Sequence, residues 1–422
     1  MLRSGGLNPT DPLVARRRGS ARLATAVAGA LALLAFLGRS SDPAAQPLSP
    51  AAPLKLGAAL ALTGNANLYG QDQRMGISLA QGWLQAQPHP RPVQLQLEDG
   101  ASDEPSAIAA FNLLIRQGVI TLIGPTLSQQ AFAADPIAQR QGVPVVAPSN
   151  TAKGIPQIGS FISRVSAQSS VIAPLSIDEA LRREPGTRRV AVFFAQDDAY
   201  STAETAIFQK VLAARGLKPV SVQRTQLADN DFQNPITAAL QQRPQIVVIS
   251  AQAVDGGNLI RQLRELGYRG QIVVGNGLNT PNIYPICQRW CDGVLIAQAY
   301  SPELNTPVNL AFRRLFAEAN QGRTPGQIAA QAWTAYQVVF EAIQRVQKRG
   351  GFEGLTLGDA RQQLMQELLN GRYDTPLGPI RFRPDGEVVQ GRFYVAQVRM
   401  DATGRNGRFT LVREQELPED AP

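Results

Sequence analysis

The sequence predicts an α/β fold in which parallel sheets form two lobes, and three observations carry that prediction. From residue 54 onward, short apolar runs alternate with segments whose apolar residues recur at helical spacing. Several helical segments end on a glycine followed by an apolar residue, as in Arg116-Gln117-Gly118-Val119, Arg140-Gln141-Gly142-Val143, Ala214-Arg215-Gly216-Leu217 and Glu265-Leu266-Gly267-Tyr268. Glycine tolerates the left-handed conformation that closes a helix, and the apolar residue after it re-enters the core. A strand often follows soon afterwards, the rhythm of parallel sheets with right-handed crossovers. Finally, a single doubly wound sheet of about 360 residues would be unusually large, so two lobes suit the length better.

Strands are expected at 54–60, 93–98, 119–123, 143–146, 189–194, 246–250 and 272–274. Between them lie amphipathic helices. Ile108, Phe111 and Ile115 share one helical face, and Leu259, Leu263 and Leu266 repeat the pattern.

The N-terminus reads differently. Arg16-Arg17-Arg18-Gly19-Ser20-Ala21-Arg22 is basic, residues 23–37 carry no charge, and the small, polar run Gly38-Arg39-Ser40-Ser41-Asp42 follows. That layout is a signal peptide's, and the apolar run is short of the roughly 20 residues a membrane span needs. Residues 1–45 are therefore expected to direct export to the periplasm, or to stay as an uncleaved anchor. No cysteine follows the run, so a lipid anchor is not expected.

Composition narrows the chemistry. The formal net charge is +8, and removing residues 1–45 leaves a mild +4 without a basic, aromatic-laced stripe, so no nucleic-acid partner is expected. The one histidine, His89, lies between prolines in an apparent surface loop, which removes His-based triads and multi-His metal sites. Cys287 and Cys291 are four apart with no second cysteine pair or histidine nearby, so no zinc site is expected. They either close a small disulfide loop in an oxidising compartment or remain buried thiols. No phosphate-cradling glycine loop is present; Gly275-Asn276-Gly277 lacks the third glycine of a dinucleotide fingerprint. No cofactor and no catalytic residue are expected. Ser128 has neither a nearby histidine nor a Ser-x-x-Lys partner to act as base.

In open α/β sheets, ligands sit beyond the carboxyl ends of the strands. The segments there are Ala61-Leu62-Thr63-Gly64-Asn65-Ala66-Asn67-Leu68-Tyr69, Gly124-Pro125-Thr126-Leu127-Ser128, Ala147-Pro148-Ser149-Asn150-Thr151 and Ala195-Gln196-Asp197-Asp198-Ala199-Tyr200. Hydroxyls, amides and tyrosines dominate them, which suits recognition of a polar molecule. Ser128 lies where a helix begins, so its hydroxyl and the free N–H groups there can hold an anion, or it simply caps the helix. Tyr69 and Tyr200 read as cleft rings or as half-buried surface residues. Asp197, Asp198 and Asp255 are candidates to meet an ammonium group, or are solvated loop carboxylates.

These loops, in this order, resemble the branched-chain amino-acid binding proteins of ABC importers, the type I periplasmic binding proteins. The resemblance runs from about residue 55 to 398. It is most specific in Gly124-Pro125-x-x-Ser128, then Ala134-x-Pro136-Ile137-Ala138-x-x-x-Gly142-Val143-Pro144-x-x-Ala147-Pro148-x-x-Thr151. Leu62-Thr63-Gly64 with Tyr69-Gly70, and Asp374-Thr375-Pro376-Leu377-Gly378-Pro379-Ile380-Arg381-Phe382 with Asp385-Gly386, are further matches.

The resemblance implies two Rossmann-like lobes joined by three crossover segments near 161–167, 297–300 and 373–377. One lobe would hold 54–165 and 300–373, the other 166–299 and 374–412, with 413–422 a tail. It implies that Ser128 and Thr151 hold a ligand carboxylate, that the Ser149 backbone helps hold an amino group, and that Tyr69, Tyr200 and Tyr300 line the cleft. Amino-acid binders of this kind often carry an acid after the strand that ends here at Val274. Gly275-Asn276-Gly277-Leu278-Asn279 has none, so Asp198 or Asp255 substitutes or the ligand lacks a free ammonium. The implied protein is a monomeric carrier of an amino acid or amide-like small molecule, delivered to an ABC permease; the alternative is the ligand-sensing domain of an extracytoplasmic receptor.

Overall fold

The apolar runs become two central sheets in the structure, a computed structural model that describes residues 43–45, 47–49, 52–89 and 91–418. The export segment lies outside the described residues. The first lobe opens with β1 (Leu54–Leu60), α1 (Asn67–Gln85), β2 (Val93–Asp99), α2 (Glu104–Arg116), β3 (Thr121–Ile123), α3 (Ser128–Arg140), β4 (Val145–Ala147) and β5 (Ile162–Arg164). The chain then crosses to α4 (Ser169–Arg183), β6 (Val190–Ala195), α5 (Ala199–Ala214), β7 (Ser221–Thr225), α6 (Gln233–Gln241), β8 (Ile246–Ser250), α7 (Ala253–Glu265), β9 (Gln271–Val274), α8 (Tyr284–Cys287) and β10 (Leu295–Gln298). It returns for α9 (Pro307–Ala319), α10 (Gln327–Lys348) and α11 (Leu357–Asn370), then forms β11 (Arg372–Thr375), β12 (Gly378–Phe382), β13 (Val388–Gln390), β14 (Arg392–Met400) and β15 (Gly407–Glu416).

The first sheet has the order β2-β1-β3-β4-β5 and is parallel throughout. The second runs β15-β14-β10-β9-β8-β6-β7, with its strands from β10 to β7 parallel. Read from β6, those five strands repeat the order of the first sheet. Each lobe therefore has its switch point between its first and third strands, where loops splay apart at the carboxyl ends. The four closing glycines, Gly118, Gly142, Gly216 and Gly267, all have φ between +59° and +95°.

Tertiary packing explains where the later segments go. Trp333 on α10 is fully buried, 5.2 Å from Phe312 and 5.5 Å from Trp83 between ring centroids. The sheet β11-β12-β13 adds Tyr373, Leu377, Ile380 and Phe382 to this first-lobe core. Only β14 and β15 join the second sheet. Segment 374–390, expected with the second lobe, thus packs with the first. Residues 413–416, expected in a tail, are the last rungs of β15. The apolar faces of β12 and β13 are covered by the first core, a contact that spacing along the chain does not show.

Three segments cross between lobes, and two side chains tie them together. At the end of β5, the Arg164 guanidinium meets Glu387 through two hydrogen bonds, Nε to Oε2 at 2.9 Å and Nη2 to Oε1 at 2.8 Å. Both side chains are buried, at 0% and 4% exposure. Arg164 Nη1 also donates to the carbonyls of Asn150 (3.1 Å) and Ala152 (2.7 Å). Gln390 Nε2 donates to the carbonyls of Ala299 (2.6 Å), Leu377 (3.1 Å) and Arg392 (2.8 Å), linking the second and third crossings. The third crossing therefore passes at Gln390 to Arg392, later than the expected 373–377.

Removing one member of a buried, hydrogen-bonded ion pair leaves the other charge without compensation. Arg164→Met is expected to lower unfolding stability by about 3–5 kcal/mol in urea titrations, and the Arg164→Met/Glu387→Leu pair by much less. A loss under about 1 kcal/mol for the single variant would show that the crossings are held by other contacts.

Candidate functional site

The switch-point loops of the two lobes face one another across a cleft. From the first lobe, Tyr69, Thr126, Leu127, Ser128, Ser149, Thr151 and Ile328 line it; from the second come Tyr200, Gln252, Asn276 and Gly277. Five expected residues, Ser128, Thr151, Ser149, Tyr69 and Tyr200, are thus gathered in one place. Tyr300 and Asp198 are not on that wall. Tyr300 packs against Phe312 in the first core, ring centroids 6.1 Å apart, because the chain there turns inward under α9. Asp198 caps α5 instead, accepting from the Ser201 N–H at 3.0 Å and its hydroxyl at 2.6 Å. Asp197 accepts from the Leu227 N–H at 2.9 Å, and Asp255 lies in the first turn of α7.

The first-lobe wall is built from the turn before α3. Gly124, with φ +128°, lies so close to β1 that any side chain would run into the Ala59 carbonyl, and a cis peptide joins it to Pro125. The turn brings the amino end of α3 to the cleft with Ser128 as its first residue. Gln130 Oε1 accepts from the Leu127 N–H at 3.1 Å, in the role of a cap. Ser128 Oγ accepts only a long bond from the Ala152 N–H, 3.4 Å. Thr151 is 2% exposed and its hydroxyl has no partner in the protein. Ser149 donates to the Thr126 carbonyl at 2.8 Å and accepts from Gln73 Nε2 at 2.7 Å. A helix terminus, one orphaned hydroxyl and one weakly engaged hydroxyl make this wall a donor surface suited to an anion.

The opposite wall is organised around the Gly277 peptide. The Tyr69 hydroxyl, from the first lobe, donates to the Gly277 carbonyl at 2.5 Å and accepts from the Ala253 N–H at 2.5 Å. The Tyr200 hydroxyl accepts from the Gly277 N–H at 2.5 Å and donates to Glu204 Oε2 at 2.5 Å. Asp72 on α1 accepts from Thr280 Oγ1 (3.2 Å) and Asn282 Nδ2 (3.1 Å) across the cleft. Ala61, Ala66, Tyr69, Leu127 and Ile328 share an apolar cluster with second-lobe residues. The lobes are closed on each other, and the space left between them is about 30 Å³.

Thr126, Gln252, Asn276, Gly277 and Glu204 were not singled out from the sequence for this site. Thr126 lies inside the Gly124-Pro125 motif and so carried a local signal, whereas Glu204, one helical turn after Tyr200, carried none of its own. Gln252 and the Gly277 peptide depend on the register of β8 and β9. Cys287 and Cys291 are joined by a disulfide away from the cleft walls. Among the described residues there is no cluster of His, Cys, Asp and Glu able to hold a metal ion, and no helix long and apolar enough to cross a membrane.

The sequence comparison decides the family. The periplasmic binding protein pattern matches residues 53–405. The chain belongs to that family. Its branched-chain amino-acid type is shown by relatives such as the leucine-, isoleucine-, valine-, threonine- and alanine-binding protein of Pseudomonas aeruginosa, 24% identical over 354 residues that cover 83% of this chain and 91% of the relative. The Leu/Ile/Val-binding protein of Escherichia coli K12 is 21% identical, covering 84% of this chain and 93% of the relative. Among solved structures, a leucine-binding protein from Thermotoga maritima superposes with a TM-score of 0.76 at 24% identity, covering 87% of this chain and all of the other. A solute-binding protein of an ABC transporter from Rhodopseudomonas palustris, in complex with 3,4-dihydroxybenzoic acid, also gives 0.76, at 20% identity, with 86% of this chain and 97% of that one covered. These likenesses show the fold, two α/β lobes of the type I periplasmic binding proteins. This periplasmic binding protein is a solute carrier of the ABC-transporter type, not an enzyme.

In this periplasmic binding protein the carboxyls near the closed cleft carry unusual proton affinities. Burial pushes Asp72 up to about 6, Glu204 to about 7 and Asp255 to about 8; Asp255 is raised further by the nearby Asp198. Burial also raises Asp135 and Asp198. A carboxyl raised in the folded state favours folding below its unfolded value, and that contribution is lost as pH climbs through the folded value. The window here runs from about pH 4 to pH 8. The melting temperature is therefore expected to be higher at pH 5.5 than at pH 8.5, by about 4 °C or more. Asp255→Asn, which mimics the neutral acid, is expected to raise it at both pH values and by more at pH 8.5, because the unfolded carboxyl is already ionised at pH 5.5. A melting temperature that rises with pH across this range would contradict the assignment.

Proposed function

We propose that this chain captures an amino acid or a related small carboxylate or amide between its lobes and presents the closed complex to an ABC permease. The observation that carries this reading is the donor wall: the amino end of α3, the Ser128 hydroxyl and the unpartnered Thr151 hydroxyl converge on one cleft. Oriented N–H and O–H donors at a helix terminus hold a carboxylate without a cationic side chain. The cleft wall has none.

Capture begins on the first lobe in the open form. Closure then brings Tyr200, Gln252 and the Gly277 peptide over the other end of the ligand. A ligand shifts the balance between open and closed forms only through contacts that differ between them, so molecules spanning both walls are favoured. Relatives support the class: the Pseudomonas protein is named for five amino acids, and the Rhodopseudomonas protein is in complex with an aromatic acid. Both kinds of ligand offer a carboxylate. Residues 1–45 are read as the export segment, either removed or retained as an anchor.

Calorimetry with amino acids, amides and aromatic acids tests the proposal. At least one carboxylate is expected to bind, and Ser128→Ala and Thr151→Ala are each expected to raise its Kd about ten- to a hundredfold, the worth of a hydrogen bond to a charged group. Absence of both heat and thermal shift across the panel, or binding indifferent to both substitutions, would remove the reading.

A further inference from the structure

Glu204 lies one turn after Tyr200 on α5, behind the closing wall and outside the cleft lining. It is 1% exposed. Its Oε2 accepts from the Tyr200 hydroxyl at 2.5 Å, and its Oε1 accepts from the Asn276 N–H at 3.1 Å. Room for the carboxylate is made by Gly275, where any side chain would collide with Glu204 and approach the Tyr200 oxygen. Two elements of the second lobe therefore hold a carboxylate against the back of a cleft tyrosine.

The consequence lies in donor bookkeeping. A phenol has a single proton. That of Tyr200 is held by Glu204, and the Tyr200 oxygen also accepts from the Gly277 N–H. Tyr69 has likewise committed its proton, to the Gly277 carbonyl. Neither phenol can donate to a ligand while these bonds stand; both present oxygen lone pairs. The Ser128 and Thr151 side of the cleft offers donors, and the two phenols offer acceptors.

We propose that Glu204 is a positioning residue that sets ligand choice: by holding the Tyr200 proton it fixes that oxygen as an acceptor, and its buried carboxylate, one hydrogen bond away, selects a ligand bearing an ammonium group beside the carboxylate. The ligand class is then the α-amino acids, ahead of plain carboxylic acids of the same skeleton. This rests on the reading of the cleft as a carboxylate site.

Proton linkage follows from the same geometry. From neighbouring elements Glu204 faces the Ser169 and Ser250 hydroxyls and the Asn276 backbone; the one titratable group facing it is Tyr200, and no basic side chain contributes. With Glu204 pushed up to about 7 by burial, an arriving ammonium draws the carboxyl toward its ionised form, so binding near neutral pH releases a proton.

The test uses matched pairs that differ only by the ammonium: alanine and propanoate, valine and 3-methylbutanoate, leucine and 4-methylpentanoate, phenylalanine and 3-phenylpropanoate. Each is titrated into the wild-type chain, Glu204→Gln and Tyr200→Phe, in buffers of different ionisation enthalpy. The wild type is expected to prefer the amino member of its best pair by about a hundredfold, and Glu204→Gln to cut that preference about tenfold or more while the acid member keeps its Kd within about threefold. Proton release on binding the amino member is expected to be smaller in Glu204→Gln than in wild type. Tyr200→Phe, which deletes the acceptor and leaves the ring, is expected to lose the preference as well, and it decides the matter should Glu204→Gln not fold. An equal loss for both members, or a preference that survives either variant, overturns the proposal. Binding of the acid members in a Ser128-dependent way with no gain for the amino members overturns it and leaves the carboxylate site standing. No binding by any pair brings down both.

Discussion

The Arg164 guanidinium is the contact on which the arrangement of this protein most depends. It is the last residue of β5, at the first crossing between lobes, and its five donors are divided between two tasks. Two bind Glu387 beside the third crossing. Another reaches the Asn150 and Ala152 carbonyls, which flank Thr151. The planar fork of an arginine suits this division; a lysine could not hold the carboxylate bidentately and the two carbonyls together. Hinge and ligand loop are therefore one structure. The position of the Thr151 hydroxyl is set by the same side chain that fixes where the chain passes between lobes. Asn150 tightens the loop further, with Nδ2 donating to the Pro125 and Thr126 carbonyls and so to the turn before Ser128.

From that fixed base the cleft gains its polarity. The first lobe brings a helix amino end and hydroxyls, and the two phenols, Tyr69 and Tyr200, bring oxygen atoms whose protons are already engaged. No cationic side chain lines either wall. In a site of low dielectric, fixed dipoles hold an anion while adding no net charge that would require compensation in the empty cleft. The buried carboxyls behind the second wall behave in a corresponding way. Burial without basic partners raises the proton affinity of Glu204 and Asp255, which lessens the negative charge the closed form must hold near neutral pH.

Much of this was legible in the sequence, and the boundary of what was legible has a physical cause. Strand, helix and closing glycine are local signals, so the parallel sheets and the loops at their carboxyl ends could be read off directly. Ser128 and Thr151 stood out because they occupy those loops within a motif. Tyr300 did not behave as expected because its position after β10 looks like a strand end, while its ring turns under α9 into the first core. The same limit applies to β12 and β13. Their alternating pattern permits packing on either lobe, and the choice is made by the cover that Tyr373, Leu377 and Ile380 find against α10 and α11. Glu204 would have read as an ordinary helix residue; only the pairing of β8 with β9 brings the Gly275-Asn276 backbone against it.

The closed lobes also carry bonds that owe nothing to a ligand. Tyr69 reaches across to Ala253 and Gly277, and Asp72 reaches across to Thr280 and Asn282. These contacts lower the free energy of closure for every ligand alike, and a uniform contribution cannot distinguish one molecule from another. Discrimination must then come from groups that the ligand meets only after closure, on the second wall. On the proposed reading, selection falls to Tyr200, Gln252, the Gly277 peptide and the carboxylate behind them, and Ser128 and Thr151 supply affinity common to the whole class. A protein built this way can keep one carboxylate grip and change its ligand by altering the far wall alone.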